Sequence, residues 1–416
     1  MRKKPAIDTP PAVTPKKLDI ITQVREYQLI TPLFGGGATP KEADLVTIIR
    51  GSEIRGHLRF WWRACRSGQF KDVAAMKEAE DAIWGKAYKK GDITTLQEHT
   101  IQITTNVDDA KRGEPVKLYT IEKRRPKPAN NIPLYAAIPL PQDRGKSQEQ
   151  VDIPYVQKDV SFTMTITFPL KYRRDIEATL WAWETFGGIG ARTRRGFGAL
   201  HLLKIDGADY DDLPSINDIK GWLEEKMSVH VKPGAAPVGT PHLGQNIQLA
   251  VTGPTRESKE AWSILIKRLS EFRQTPYGRD GSSLWPEAEA IREITKHGHT
   301  ARKFPRAAFG LPINFHFIEG DPVDTTLHGA EQEHDRLASP LILRPLKCKD
   351  GKVVKAVGVA LVLDTSRTPP KGLLLSEKGN EDHPYRVNSA LTPAEAGALP
   401  MLKGETDVLK AFLKYI

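Results

Sequence analysis

The first strong pattern along the chain is an alternation. From Leu18 to Leu33 apolar residues recur as in a strand (Ile21, Val24, Tyr27, Leu29), and the run ends at Pro32. A helical period follows over Ser52–Arg66, with Ser52 expected as its N-cap, and another over Val73–Trp84, closed by Gly85. Ile101–Val107 and Val160–Phe168 (VSFTMTITF) alternate with period two and predict half-buried strands. Asp175–Phe186 predicts a helix with Ile176, Leu180 and Trp183 on one side, stopped by Gly187, and Ala199–Ile205 predicts a last strand. The order strand, helix, strand, strand, helix, strand is that of a ferredoxin-like unit over residues 17–206, with helices on one sheet face and the other face left free to bind.

The remaining segments read differently. Residues 1–16 hold four prolines and few apolar positions, the pattern of a disordered lead-in. A proline-rich, basic insertion spans about 108–158, and its tract Lys123-Arg124-Arg125-Pro126-Lys127-Pro128 is expected to project as a loop. Residues 207–245, with KPGAAPVGTPHLG, predict a linker. The pattern then restarts over 246–416: a strand at Ile247–Val251, helices at Glu257–Phe272 and Leu284–Lys296, and strands near Pro312–Ile318, Leu341–Leu346 and Val353–Leu363. A final helix falls near Thr406–Tyr415. The expected class is α+β, with two ferredoxin-like modules, the second more divergent.

Composition narrows the partners. Of 416 residues, 39% are hydrophobic and 27% charged, ordinary for a globular protein with room for two domains. No apolar run is long enough to cross a bilayer, and MRKKPAIDTPP lacks the apolar core of a signal peptide, so a cytoplasmic place and no membrane partner are expected. Cys65 and Cys348 make neither a disulfide framework nor a zinc cluster, and no cofactor is expected. A net charge of +10 favours a polyanion, provided the arginines are placed to meet one.

Two segments place them. On a helix begun near Ser52, Ile54, Leu58, Trp61 and Cys65 form one stripe, and Arg55, Arg59, Arg63 and Arg66 an adjacent one within roughly 80°. Four like charges so close repel, Glu53 is the nearby carboxylate, and phosphates would relieve them. The Arg50-Gly51 turn and the helix N-terminus add a phosphate-binding end. Trp61 is assigned to the core; Trp62 lies on the border and is read as core, with base stacking as the alternative. The second segment, Phe186–Gly198 (FGGIGARTRRGFG), sets Arg192, Arg194 and Arg195 among glycines that include Gly188 and Gly190. Backbone amides of such a loop can form an anion-binding concavity; the plainer reading is a helix cap followed by a hairpin with exposed arginines. It is neither a Walker A loop nor a Rossmann turn.

These segments carry a resemblance. With TPLFGGG at Thr31–Gly37, IRGSEIRGHLRFWWRA at Ile49–Ala64 and GGIGARTRRGFG at Gly187–Gly198, the chain resembles the RAMP superfamily of CRISPR proteins. Within it, these runs and AFGLPINF (Ala308–Phe315) and RLASPLILRPL (Arg336–Leu346) are similar to the first RAMP subunits of the type III-B effector, the Cmr complex. The resemblance implies CRISPR RNA held along stacked RAMP subunits, with this one near the RNA's 3′ end, helping to bind target RNA beside other Cmr subunits. It implies no enzyme activity, and RNA contacts at Arg50, Ser52, Arg55, Arg59 and Gly188–Arg195. Lys123, Arg124 and Arg125 join the expected RNA-binding set on charge. Two residues offer a catalytic alternative. Asp44 sits where backbone RAMP subunits carry a cleaving aspartate, but a lone carboxylate needs a metal or a positioned 2′-OH. His57 could serve as a general base, yet its side of the helix points away from the arginines. His297 and His299 read as solvated loop residues rather than a metal site. A third reading is a protein-binding adaptor whose arginines meet acidic neighbours. The expectation is a non-catalytic RNA-binding subunit whose phosphate contacts accept any guide sequence.

Overall fold

A computed structural model of the chain describes residues 19–37, 44, 46–90, 93–96, 101–123, 125–140, 153–244, 248–274, 283–317, 322–331, 335–366, 368–369 and 371–416. The lead-in expected over 1–16 and Arg124 lie outside them. In chain order the first half comprises β1 (Ile20–Leu29), β2 (Leu33–Phe34), α1 (Gly51–Arg66), α2 (Val73–Trp84), β3 (Ala87–Lys90), β4 (Ile93–Leu96) and β5 (Gln102–Asn106). Then come β6 (Glu114–Lys117), β7 (Tyr119–Glu122), β8 (Arg125–Pro128), β9 (Tyr155–Lys158), β10 (Ser161–Pro169), α3 (Arg173–Phe186), β11 (Leu200–Ile205), β12 (Ala208–Asp209) and α4 (Ile219–His230).

The main sheet runs β12-β11-β1-β10-β5, every neighbour antiparallel. Apart from the short β12, this is the fourth, first, third and second strand of a β-α-β-β-α-β unit side by side. The alternation in the sequence explains it. Phe162, Met164, Ile166 and Phe168 of β10 are buried on one face, where Tyr27 of β1 stacks on Phe162 with ring centroids 5.0 Å apart. α1 covers that face with Ile54, Leu58, Trp61 and Cys65, and α3 with Ile176, Leu180 and Trp183. Each such side chain contributes about 1.5–3 kcal/mol on burial. The opposite face carries Thr22, Thr163, Thr165 and Thr167 in register with Thr104 and Asn106 of β5, and β1, β5 and β10 set no aromatic ring on it.

Two expectations are corrected in this half. Residues 207–245 are no linker. Asp218 caps α4 by accepting from the Gly221 amide, and Ile219, Leu223 and Met227, spaced by four, enter the same core. The segment also supplies donors to the last turn of α1: the Lys232 amide bonds the Cys65 carbonyl at 2.8 Å and the Leu243 amide the Ala64 carbonyl at 2.9 Å. A helix end needs such partners, and the proline- and glycine-rich flanks hid the amphipathic stretch that brings them. The insertion at 108–158 is likewise folded down. β6 and β9 pair beside β2, and Leu118, Tyr119, Ile132 and Val156 are buried in a cluster with Phe34, Phe197 and Trp262. What stands out is the turn of the β7–β8 hairpin, where Lys123 and Arg125 are exposed.

The second half comprises β13 (Gln248–Val251), α5 (Ser258–Gln274), α6 (Glu287–His297), β14 (Ile313–Phe315), β15 (Thr325–Gly329), β16 (Leu341–Asp350) and β17 (Val353–Val362). It ends with β18 (Leu373–Glu377), β19 (Asn380–Val387), α7 (Pro393–Ala398) and α8 (Val408–Tyr415). β13, β17 and β16 form one sheet, and α5 and α8 share a buried cluster with it. β14, β15, β18 and β19 form a separate sheet over Ile291, Ile294 and Phe304. The pattern reading missed β15, β18, β19 and α7. β19 (NEDHPYRV) has exposed or half-exposed side chains throughout and no apolar alternation to announce it.

One side chain fastens the halves together. Arg344 of β16 is 1% exposed. Its Nη1 donates to the carbonyls of Glu184 (2.7 Å) and Gly187 (3.0 Å), its Nη2 to Leu200 (2.7 Å) and its Nε to Pro345 (3.1 Å). Burial pushes its pKa down to about 9, which leaves it charged at neutral pH. Arg344→Met would strand the Glu184, Gly187 and Leu200 carbonyls without these donors. The expected cost is about 3 kcal/mol or more, read as a lower urea midpoint of the full chain at unchanged slope.

Candidate nucleic-acid interface

The arginine helix begins one residue earlier than expected. Its N-cap is Arg50, in extended conformation (φ −109°, ψ 131°), without a side-chain capping bond; Ser52 lies inside the first turn and is exposed. This corrects the capping role given to Ser52. The apolar stripe is as predicted, and Trp62 belongs to it: the ring is buried, tilts against Phe70 and donates to Asp175 Oδ1 at 3.2 Å. No ring face is left for a base.

The arginine row divides in two. Glu80 of α2, 2% exposed, accepts from Arg59 Nε at 2.7 Å and Arg63 Nη1 at 2.5 Å, and Asp81 lies 3.5 Å from Arg59 Nη2. Arg66, 3% exposed, donates to Asp175 Oδ1 (3.0 Å), the His230 carbonyl (2.7 Å) and the Arg174 carbonyl (2.5 Å). The like-charge repulsion expected along α1 is thus relieved from within, by acids distant in sequence, and Arg66 is part of the interior. Arg55 differs. It donates to the Ile101 carbonyl at 2.8 Å, no carboxylate among the described residues pairs with it, and burial, then Arg59, lowers its pKa.

The glycine–arginine loop is also spent in part. Its amides at Ile189, Gly190, Ala191 and Gly198 donate to Gly198 O (3.0 Å), Glu53 Oε1 (2.7 Å), Phe34 O (2.6 Å) and Pro32 O (2.8 Å). These amides therefore form no open anion cradle, contrary to that reading of the loop. Gly188 bridges Ala199, and a Cβ on Gly198 would overlap the Ile189 carbonyl; this close approach is what the glycines permit. The guanidinium groups remain. Arg192 donates to the Ile138 carbonyl at 2.6 Å and lies over Phe34; Arg194 donates to the Ser339 carbonyl and lies over Phe60; Arg195 donates to the Tyr135 carbonyl at 3.0 Å. All three are half-buried without a carboxylate partner among the described residues. Burial lowers the pKa of each, that of Arg195 to about 10 with Arg273 and Arg192 adding repulsion.

The structure brings the two segments together at one place. Arg50 donates to the Gly36 carbonyl, Glu53 joins α1 to the Gly190 amide, and Arg194 crosses to Phe60 of α1. Arg50, Arg192 and Arg194 thus lie about the junction of α1 with the glycine loops, where Glu53 stands with His57 Nε2 3.6 Å from its Oε1, whereas Arg55 turns to the Ile101 carbonyl and Arg195 to that of Tyr135. Lys123 and Arg125 stand apart on the β7–β8 turn. Asp44 accepts from the Val46 and Thr47 amides, both at 2.9 Å, and these bonds hold its carboxyl below the usual range. His297 and His299 are exposed at the end of α6, and no group of three metal-ligating side chains occurs among the described residues.

Comparison with known proteins follows the same segments. Residues 26–201 match the RAMP superfamily. That span holds the arginine helix, the insertion and the glycine–arginine loop, and it ends in β11. A curated relative, the CRISPR system Cmr subunit Cmr1-2 of Pyrococcus furiosus, is 26% identical over 185 residues, which are 42% of this chain and 92% of the relative. Among solved structures, the apo crystal structure of Cmr1 from Pyrococcus furiosus is similar at 15% identity and a TM-score of 0.46, over 83% of this chain and 89% of that one. A chain of the type III-B Cmr-beta complex, bound to cognate target RNA and AMPPnP in the presence of ssDNA, is similar at 12% identity and a TM-score of 0.48, over 95% and 98%. No helix among the described residues is long and apolar enough to cross a membrane.

Sequence reasoning missed Glu80, Asp175 and Arg344. Glu80 did leave a signal, since it shares the buried stripe of α2 with Met76 and Ile83, and a buried acid there calls for a base opposite. Within the RAMP segment the two kinds of arginine should separate by experiment. Arg66→Ala removes a buried guanidinium from Asp175 and strands the Arg174 and His230 carbonyls, and should cost about 3 kcal/mol in urea unfolding. Arg192→Ala, at a half-buried site bonded to one carbonyl, should cost about 1 kcal/mol.

Proposed function

We propose that the chain is a non-catalytic RNA-binding subunit of a type III-B CRISPR ribonucleoprotein, placed near the 3′ end of the CRISPR RNA and helping to bind target RNA. The observation that carries this reading is the group Arg50, Arg55, Arg192, Arg194 and Arg195. These guanidinium groups are half-buried, and each donates to a carbonyl rather than to a carboxylate among the described residues. A phosphate backbone supplies the charge that they lack, through forked donors suited to it. The threonine-covered sheet face, without aromatic rings on β1, β5 and β10, favours backbone contact over base stacking. The Cmr1-2 relative and the RAMP match agree with the proposed partners, which are CRISPR RNA, target RNA and other Cmr subunits. In this reading the two halves descend from one ferredoxin-like plan, the second keeping the first three strands.

Arg50→Ala, Arg192→Ala and Arg194→Ala combined should weaken single-stranded RNA binding alike for all sequences. The slope of log affinity against log salt should fall by about 0.7 for each phosphate contact removed. Unchanged affinity and slope would sink the proposal and leave a protein-binding adaptor. Incubated with target RNA and divalent metal, the isolated chain should leave the RNA intact; cleavage that disappears in Asp44→Ala would overturn the non-catalytic assignment.

A further inference from the structure

A second feature lies in a cleft between the two halves. Its volume is about 290 Å³, and it is lined by Gln28–Pro32 at the end of β1, by Asp159, by Arg256–Lys259 at the start of α5, and by Lys347 of β16. The size is at the small end for ligand pockets. Four observations describe its chemistry. The 17-residue helix α5 opens here, so its first backbone N–H groups and the positive end of its dipole face the cleft. Ser258, the first helical residue, is 5% exposed, yet its hydroxyl finds no hydrogen-bond partner. Lys347 is half-buried and has no ion pair among the described residues, and burial lowers its pKa. Lys259 is 3.9 Å from Asp159, which leaves Arg256 and Lys347 set against Glu257 alone.

An unsatisfied buried hydroxyl costs free energy, and so does a partly desolvated ammonium that Glu257 offsets only from a distance, without an ion pair among the described residues. A tetrahedral anion with several acceptor oxygens satisfies both, together with the free amides of the helix end. We propose that this cleft binds a phosphate group. The site is separate from the arginine group at the start of α1, although Pro32 on its wall stands four residues before Gly36. The phosphate could belong to a strand of RNA, extending the path that the proposed function requires, or to a free anion.

The test uses the full chain, wild type against Arg256→Gln/Lys347→Met and against Ser258→Ala, with circular dichroism to show each is folded. Inorganic phosphate is the first probe, compared with chloride at equal ionic strength. Phosphate should raise the thermal midpoint of the wild type, as any ligand of the native state does, and the rise should shrink in Ser258→Ala and vanish in the double variant. Single-stranded RNA is the second probe, and there the double variant should lower the salt slope by about 0.7. An effect with both probes, or with RNA alone, identifies an RNA phosphate; an effect with inorganic phosphate alone identifies a free anion. If the folded double variant matches the wild type with both probes, the proposal is wrong. The Arg192→Ala/Arg194→Ala variant in the same RNA assay reports on the proposed function separately, since it leaves the cleft untouched.

Discussion

From Glu184, in the last turn of α3, the chain turns through five glycines and enters β11, and along the way the Glu184, Gly187 and Leu200 carbonyls face the second half of the chain. Arg344 supplies them with donors from the other half of the chain. Four charge-assisted bonds in the interior offset the loss of water around that guanidinium, and they make the loop's position a property of both halves at once. Glu184, whose carbonyl takes one of these bonds, also binds Arg25 and the Tyr27 hydroxyl through its carboxylate at 2.8 and 2.6 Å. The same few residues therefore tie the first strand, α3, the loop and β16 to one another.

Everything proposed about the cationic surface follows from where that loop is held. Trp262 of α5 donates to the Arg195 carbonyl at 2.7 Å, and the insertion offers the Ile138 and Tyr135 carbonyls to Arg192 and Arg195. Three parts of the chain far apart in sequence thus orient adjacent arginines. The loop glycines serve this packing, and their amides are consumed by it. Binding strength is left to side chains whose carbonyl partners hold them in place without cancelling their charge. That division suits recognition of a backbone: carbonyls fix geometry, and the net positive charge remains available to phosphates.

The arginines of α1 show how the same residue type takes opposite roles. Arg59, Arg63 and Arg66 meet Glu80, Asp81 and Asp175 and hold helices together. Arg50 and Arg55 donate to the Gly36 and Ile101 carbonyls and form no ion pair among the described residues. A helical wheel places them side by side because it knows the angle between residues and nothing of what packs opposite. Depth decides the difference: toward the C-terminal end the helix runs into α2 and α3, where a buried charge must be paired, and at its start it emerges beside the glycine loops.

Much of this protein was fixed by local pattern. Period-two alternation in Val160–Phe168 and helical stripes in α1, α2 and α3 set the elements of the first half, because each must bury one face whatever its neighbours are. The resemblance of the IRGS turn and the glycine–arginine loop to RAMP proteins was also legible without coordinates, and the match over residues 26–201 agrees with it. The fate of each charge was not legible. Pairing of Arg66 with Asp175 spans more than a hundred residues, α4 was hidden between proline- and glycine-rich flanks, and the second sheet of the second half ends in β19, a polar edge strand without a period. Local sequence records which face of an element must leave water; only tertiary packing decides which charges go with it and which stay free for a ligand.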